Sequence, residues 1–229
     1  MKDEKNVKKN ALLKLLYLWI RKKTIFKKSY EKNIIWLKNE INIAFPVILS
    51  KCKFNILGNK NNIIIAKSVF LNNVTFQIKW HNNLIKIWPD VAFNNSGSLW
   101  IEGEGCEINI GKWTTFEAVH IVASEEKSKV IIGEDCMFAY DIDIRSGDSH
   151  SILNTTTMKR INHSKDIWID NKVWVTPHVS ILKGVRIQEN SVVATRSVVT
   201  KAFLKKWILI WGAPAKILKE NIEWIREKI

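Results

Sequence analysis

Cysteine, proline and glycine are all scarce in this chain of 229 residues, which contains three, four and nine of them respectively. Three widely separated cysteines exclude a disulfide framework, and the lack of a CxxC pair excludes the usual zinc-ligand spacing. We therefore expect a reducing, cytoplasmic setting. The shortage of glycine and proline argues against low-complexity linkers. Since 46% of the residues are apolar, the composition indicates one globular unit with appendages.

Positive charge is plentiful but unevenly placed. The formal net charge is +14, and residues 1–40 hold twelve Lys and Arg against four acids. Among them lies Ala11–Ile20, an apolar run that is too short to span a bilayer and has no signal-peptide cleavage site. The pattern predicts a basic helical arm over residues 1–45. Two contacts stay open for it: an anionic surface, with the protein peripheral at the inner membrane, or the protein's own body or a neighbouring subunit.

The most informative pattern is an aliphatic residue at every sixth position near the carboxyl end. The run comprises Ile169, Val175, Ile181, Ile187, Val193 and Val199. Small or β-branched residues stand two positions before the last five of them. Neither a helix nor an ordinary strand has this period, whereas a chain that turns a corner every six residues does. The hexads therefore predict an all-β fold, a parallel β-helix in which three hexads close one triangular coil.

The repeat also sets the boundaries of the predicted domain. In-phase residues continue upstream from Ile144 to Ile110, so we predict a β-helix domain over residues 46–215. A polar segment at 145–166 interrupts the repeat and is expected to leave it as a loop, where function tends to concentrate. Residues 216–229 predict an amphipathic C-terminal helix, because their apolar residues have helical spacing. These residues are Leu218, Ile222, Ile225 and Ile229.

Five segments carry a resemblance to a known family. They are DIRSGDSHSI (143–152), RINHSKDIWIDNKVWV (160–175), ILKGVRI (181–187), SVVTKAF (197–203) and WGAPAKILKENIEW (211–224). Here the chain resembles the hexapeptide-repeat O-acetyltransferases, and most of all the bacterial capsule enzymes that acetylate polysialic acid. The resemblance implies a left-handed β-helix, acetyl-CoA as the donor, a glycan acceptor and a homotrimer with active sites shared between subunits.

The resemblance also implies which residues act in catalysis. His150 matches the family's catalytic histidine, and a neutral imidazole can take the proton of a sugar hydroxyl. Trp174 matches a tryptophan near the thioester, and its indole N–H is a donor suited to a developing oxyanion. Either Asp148 or Asp143 could orient the imidazole, and the sequence does not decide between them.

Coenzyme A is long and anionic, and the family's cofactor groove runs along successive coils. The resemblance places seven residues in this groove: Trp174, Lys183, Ala194, Thr195, Thr200, Lys201 and Lys216. The lysine ammonium groups suit the phosphates. Thr200 is a departure, since the polysialic acid enzymes have a tyrosine there. For the acceptor, the loop offers three polar residues: Arg145, Asp148 and Arg160.

Other functions fit this sequence less well. Metal-dependent enzymes share the predicted fold, but the histidines of this chain are widely spaced and offer no close pair of ligands. No nucleic-acid-binding motif accompanies the positive charge. We therefore expect no metal and no nucleic acid, and an anionic glycan acceptor, sialic acid or polysialic acid first. An acetyltransferase for another capsule or lipopolysaccharide sugar stays open, as does a non-catalytic module that binds an anionic glycan.

Overall fold

A computed structural model describes residues 38–229 of the chain. Its strands stack coil upon coil into a parallel β-solenoid with three faces, each a ladder of parallel strands. Face I is a seven-stranded sheet, and faces II and III form a larger sheet that bends round a corner. Two long strands, β8 (Ala92–Ile101) and β10 (Thr115–Ala123), run through that corner and belong to both faces. The predicted all-β parallel solenoid is confirmed.

The other strands divide among the three faces. Face I holds β1 (Glu40–Ile43), β4 (Asn62–Ile65), β7 (Leu84–Ile87), β9 (Glu107–Ile110), β11 (Lys129–Ile132), β14 (Ile167–Ile169) and β17 (Arg186–Ile187). Face II holds β2 (Ile48–Ser50), β5 (Phe70–Asn72), β12 (Met137–Phe138), β15 (Trp174–Val175), β18 (Val192–Val193) and β20 (Ile208–Gly212). Face III holds β3 (Lys53–Ile56), β6 (Val74–Ile78), β13 (Ile142–Arg145), β16 (Ser180–Ile181) and β19 (Val198–Val199). The last strand, β21 (Ala215–Glu220), pairs antiparallel with β20.

The six-residue pattern fills the interior of the solenoid. Every aliphatic residue of the run from Ile169 to Val199 is at most 1% exposed, as are the smaller residues two positions before the last five. Upstream, the rings of Phe93, Phe116 and Phe138 stack in turn at centroid distances of 4.4 and 4.7 Å. The interior is therefore a continuous apolar column built by stacking successive coils.

The length of a coil changes along the solenoid. Upstream, Asn62 lies beside Leu84, so one coil comprises residues 62–83. Downstream, Trp174 lies beside Val192, so the shorter coil comprises residues 174–191, which is three hexads. The upstream coils have longer strands on face III, where β6 has five residues and β16 has two. A strict six-residue pattern is therefore visible only in the downstream coils.

Many corner residues adopt a left-handed backbone conformation without being glycine. At the corner between faces I and II this conformation recurs at Asp90, Trp113, Asp135, Lys172 and Asn190, with φ from 51° to 62°. Aspartate and asparagine tolerate it better than most residues do. The solenoid can therefore turn these corners although the chain contains few glycines.

The N-terminal boundary differs from the prediction. Residues 1–37 lie outside the described residues, and with them most of the helical arm predicted over 1–45. Glu40–Ile43, however, form strand β1, which stacks on β4 in face I. Ile41 and Ile43 pack against the core, because alternate residues of a strand point to the same side. The predicted boundary at residue 45 is therefore wrong, since the solenoid already includes Glu40.

The helix predicted over residues 216–229 is wrong. Strand β21 takes up the first part of this segment, and residues 221–229 contain no helix. The backbone of β21 is satisfied by antiparallel pairing with β20. The apolar residues at helical spacing bury little surface, since Leu218 is 59% exposed and Ile229 is fully exposed. Trp224, outside that pattern, is the buried side chain of this segment. Among residues 38–229, no helix is long and apolar enough to cross a membrane.

Candidate active site

The predicted loop leaves the solenoid at the corner between faces III and I and is fastened at its base. It spans residues 146–166, because Arg145 still belongs to β13. The guanidinium of Arg160 donates to both carboxylate oxygens of Glu125, at N–O distances of 3.1 and 2.5 Å. The backbone N–H of Ser164 also donates to Glu125, at 3.2 Å. Because such two-pronged, charge-assisted pairs are strong, they fix the returning half of the loop beside the preceding coil.

Asn162 is the centre of the loop's hydrogen bonding and is 7% exposed. Its Nδ2 donates to Oδ2 of Asp148 and to the backbone carbonyl of His150, both at 2.8 Å. Its Oδ1 accepts from the backbone N–H of Ile152 at 2.7 Å and from Nε of Arg160 at 3.1 Å. One buried amide therefore joins the outgoing and the returning halves of the loop.

Asp148 and Lys183 form an ion pair that ties the loop to the next coil. The Lys183 ammonium also donates to the backbone carbonyl of Asn162 at 3.0 Å. The hydrogen bond from Lys183 is the main cause that lowers the pKa of Asp148, and the bond from Asn162 adds to it. Asp148 is therefore held in its charged form. The ammonium of Lys183, predicted to meet the cofactor, is engaged by the loop.

His150 lies on this braced segment with an exposed side chain. Its N–H donates to the backbone carbonyl of Asp148, and its own carbonyl accepts from Asn162, each at 2.8 Å. Neither aspartate predicted to orient the imidazole forms a hydrogen bond with it, and the ring has no hydrogen-bond partner within residues 38–229. The backbone of His150 is therefore fixed, while its ring nitrogens are open to a substrate.

Asp143, the other aspartate predicted to orient the imidazole, lies on face III in a polar cluster. Its carboxylate lies 3.0 Å from Nδ1 of His120 and accepts from Nε of Arg145 at 2.6 Å. Burial raises the pKa of Asp143, but the bonds with His120 and Arg145 outweigh it, and the net pKa is lowered. The side chain of Arg145 is 42% exposed, and its Nη1 has no partner in the described part of the chain. Arg145 therefore offers a donor group at the edge of face III, where the loop begins.

Trp174 lies on face II, whereas the loop leaves at the corner between the other two faces. Its neighbours Val173 and Val175 are fully buried, so its indole points outward. The ring of Trp224 packs against it at a centroid distance of 5.9 Å. Because that corner is opposite face II in the triangular section, one chain does not bring His150 and Trp174 together.

The other residues predicted to bind cofactor lie on the last coils. They are Ala194 and Thr195 after β18, Thr200 and Lys201 after β19, and Lys216 in β21. The side chains of Lys201 and Lys216 are exposed and form no ion pair with any other of the described residues. Exposed ammonium groups without an ion-pair partner fit the phosphates of coenzyme A. Within the part of the chain described, no group of three or more His, Cys, Asp or Glu could hold a metal ion.

The fold matches a solved structure over most of both chains. The crystal structure of the polysialic-acid-specific acetyltransferase NeuO has a TM-score of 0.75 and 34% identity, covering 82% of this chain and 85% of that chain. This chain belongs to the hexapeptide-repeat O-acetyltransferases.

Two curated relatives of this chain are named polysialic acid O-acetyltransferases. The polysialic acid O-acetyltransferase of Escherichia coli O1:K1 / APEC is 40% identical over 123 residues, which are 54% of this chain and 39% of the relative. The polysialic acid O-acetyltransferase of Neisseria meningitidis is 36% identical over 133 residues, or 58% of this chain and 61% of the relative. The chain thus spans about two fifths and three fifths of these two relatives. No family model matches the chain.

Three residues that shape this candidate site carry no prediction from the sequence: Glu125, Asn162 and Trp224. Asn162 and Trp224 lie inside the segments that carry the family resemblance, and only this position could have pointed to them. Glu125 lies outside them, and its partner Arg160 follows 35 positions later. Nothing in the sequence links the two, because their ion pair exists only once the loop has folded back.

Proposed function

We propose that this chain transfers the acetyl group of acetyl-CoA to a hydroxyl of sialic acid in polysialic acid. The names of two relatives and of a solved structure support this acceptor. The observation that carries the proposal concerns His150. Its imidazole has no hydrogen-bond partner among the described residues, and its backbone lies on a loop held by Asn162. A general base needs a defined position and an unused nitrogen, and this residue has both.

The proposed reaction requires a base and an oxyanion donor. The imidazole of His150 takes the proton of the sugar hydroxyl as its oxygen attacks the thioester carbonyl. The indole N–H of Trp174 donates to the oxyanion of the tetrahedral intermediate. When the carbon–sulfur bond breaks, the imidazolium gives its proton to the leaving sulfur. The products are the acetyl ester of the sugar and coenzyme A with a free thiol.

For coenzyme A, we propose a path along the last coils of the solenoid. Lys201 and Lys216 meet the phosphates, because their ammonium groups are exposed and have no ion-pair partner among the described residues; that of Lys201 lies 5.8 Å from the centroid of the Phe203 ring. Ala194 and Thr195 lie beside the pantetheine arm, which small side chains allow to approach the backbone. Thr200 lies next to Lys201 and contacts the cofactor without the aromatic ring that the family resemblance leads us to expect.

For the acceptor, we propose Arg145 as the residue that meets the carboxylate of sialic acid. Of the three predicted loop residues, Arg160 pairs with Glu125, and Asp148 pairs with Lys183. Arg145 keeps an Nη1 that is unused within residues 38–229, and a guanidinium forms strong charge-assisted bonds with a carboxylate. Arg160 and Asp148 then shape the loop instead of contacting the sugar.

We propose that three copies assemble around a three-fold axis, with each active site formed between neighbours. In one chain the loop leaves the left-handed solenoid at the corner opposite Trp174, so the base meets the oxyanion donor only across a subunit boundary. Closed cyclic assemblies are also the usual form of soluble homo-oligomers. Sedimentation equilibrium should give three times the mass of one chain, and a monomer at micromolar concentration would contradict the proposal.

His150→Ala tests the proposed base. We expect kcat to fall by about 10²–10⁴-fold, the range for loss of a general base, while acetyl-CoA still binds. Release of the coenzyme A thiol in the presence of sialic acid oligomers measures the turnover. His163→Ala is the matched control, because His163 is exposed in the same loop and should leave kcat unchanged. More than about a tenth of wild-type activity in His150→Ala would exclude His150 as the base.

A panel of acceptors tests the substrate. We expect faster turnover with sialic acid oligomers than with neutral glycans at low salt, and a smaller difference as salt screens the charges. Faster turnover with a neutral capsule or lipopolysaccharide sugar would redirect the acceptor assignment. Glycan binding without thiol release from acetyl-CoA would favour the non-catalytic module.

We propose a cytoplasmic location, with residues 1–40 in contact with an anionic inner-membrane surface or with the protein itself. Pelleting with anionic liposomes separates the two contacts when the full chain is compared with a version lacking residues 1–37. If only the full chain pellets with the liposomes, the membrane contact is supported. If neither version pellets, contact with the protein is favoured.

A further inference from the structure

The last residues of the chain run back over the solenoid as a C-terminal strap, residues 221–226. Its far end is anchored by Arg226, whose guanidinium donates to Oδ1 of Asp135 at 2.9 Å and to Oγ1 of Thr115 at 3.0 Å. The same guanidinium donates to the backbone carbonyls of Trp113 and Cys136 at 3.2 and 3.0 Å. These partners belong to coils far upstream of β20. The strap therefore crosses several coils.

Trp224, in the middle of the strap, is 5% exposed, although Glu223 and Ile225 on either side of it are exposed. Its indole packs on that of Trp174 with ring centroids 5.9 Å apart and planes inclined by 42°. Its Nε1 donates to the backbone carbonyl of Lys172 at 2.9 Å. The residue is no part of the apolar column inside the solenoid. Trp224 is therefore buried against the outer surface of the solenoid, beside Trp174.

We propose that Trp224 is a positioning residue that fixes the indole of Trp174 for acetyl transfer. This inference rests on the proposed function, in which the N–H of Trp174 donates to the oxyanion. Trp174 points outward from a strand of two residues, so the interior column does not surround its ring. Trp224 provides a wall on one side of that ring, and its own ring is held by the bond to Lys172.

Packing of Trp224 against Trp174 affects turnover because the N–H of Trp174 must lie at a defined distance from the oxyanion. Donors act at about 3 Å from the position of the oxyanion. A displacement of about 1 Å can lower turnover by a hundredfold. Without Trp224, the indole of Trp174 has additional rotamers, and only a fraction of the molecules hold its N–H where the oxyanion forms.

The test is a double-mutant cycle with Trp224→Ala and Trp174→Phe, measured in the full-length protein. We expect Trp224→Ala to lower kcat by about ten- to a hundredfold in the wild-type background. In the Trp174→Phe background the same change should have little further effect, since the N–H that it positions is already gone. Trp224→Phe keeps an aromatic ring beside Trp174 but loses the bond to Lys172, so it should lower kcat less than Trp224→Ala does. Ile225→Ala, in the same strap, is the matched control and should leave kcat unchanged.

A second readout does not depend on activity. With 5-fluorotryptophan incorporated, the fluorine resonance of Trp174 is identified by its loss in Trp174→Phe. This resonance should shift or broaden in Trp224→Ala and stay in place in Ile225→Ala. Wild-type kcat in folded Trp224→Ala would overturn the inference, as would an equal loss of kcat in both backgrounds, because either result would leave only a structural role.

The outcomes also separate this inference from the proposed function. Wild-type turnover in Trp174→Phe would remove the oxyanion role of Trp174 and overturn the inference with it, while acetyl transfer by His150 could still be measured. A failure confined to Trp224 would overturn the inference and leave the proposed reaction standing.

Discussion

Replacing Asn162 by aspartate should open the loop while the solenoid stays folded. Asn162→Asp keeps the side-chain size and the two hydrogen bonds that Oδ1 accepts. It removes the two bonds that Nδ2 donates, to Asp148 and to His150, and sets a second carboxylate beside that of Asp148. Each lost bond contributes about 1 kcal/mol net, so the loop should lose at least about 2 kcal/mol of local stability. The open population should therefore rise by about thirtyfold.

Hydrogen exchange of the backbone amides measures this opening. In Asn162→Asp we expect the amides of residues 148–162 to exchange about thirtyfold faster, with unchanged exchange in the strands of face I. Turnover should fall at least about tenfold, because the backbone of His150 is no longer fixed. Thr156→Ala changes an exposed residue of the same loop and serves as the control. Unchanged exchange together with wild-type turnover in Asn162→Asp would refute the conclusion that this amide holds the loop.

Three further predictions follow from charge and burial. Because the pKa of Asp148 is lowered, its ion pair stabilises the fold fully above the ordinary value of 3.8 and less as the pH falls through the folded pKa. The difference in Tm between wild type and Asp148→Asn should therefore be present at pH 7 and disappear in acid; a constant difference would contradict the pairing. Burial raises the pKa of Cys52 to about 11 and that of Cys136 to about 12, so neither thiol should react with a disulfide reagent near neutral pH until denaturant is added. Lys201→Ala and Lys216→Ala should each raise the KM for acetyl-CoA about two- to fivefold at low salt and less at high salt, and an unchanged KM would place the phosphates elsewhere.

The downstream half of the solenoid could be predicted from the sequence because each inward position is specified by residue type. The hexad run from Ile169 to Val199 is buried throughout, since a coil of three hexads leaves no freedom in which side chain points inward. Upstream each coil is longer than three hexads, as residues 62–83 show, so a search at a fixed step of six loses its phase there. The failed C-terminal helix has a related cause: apolar residues at helical spacing, such as Leu218 and Ile229, describe a helix only when something covers them, and here they are exposed.

The candidate site could be predicted only in part, because its residues are joined by contacts between distant segments. The family motif points to His150 and Trp174, but it carries no information on which residues brace them. Glu125 reaches the loop across one coil, and Trp224 reaches Trp174 by way of the strap. Lys183 is an ambiguous residue by sequence alone, since the same ammonium can meet a phosphate or the carboxylate of a loop residue.

Because the upstream coils stack regularly, the solenoid should tolerate the removal of a whole coil without loss of the contacts that hold the candidate site. Asn62 lies beside both Glu40 and Leu84. Deleting residues 62–83 therefore removes one complete coil and places β1 directly beside β7, with Glu40 opposite Leu84. Each such deletion shortens the stack by about 4.8 Å. Every contact of the loop and of the strap described above lies downstream of the cut and keeps its partners. Residue 38, where the described chain enters the solenoid, would thus lie nearer to the candidate site by one fixed step for each coil removed.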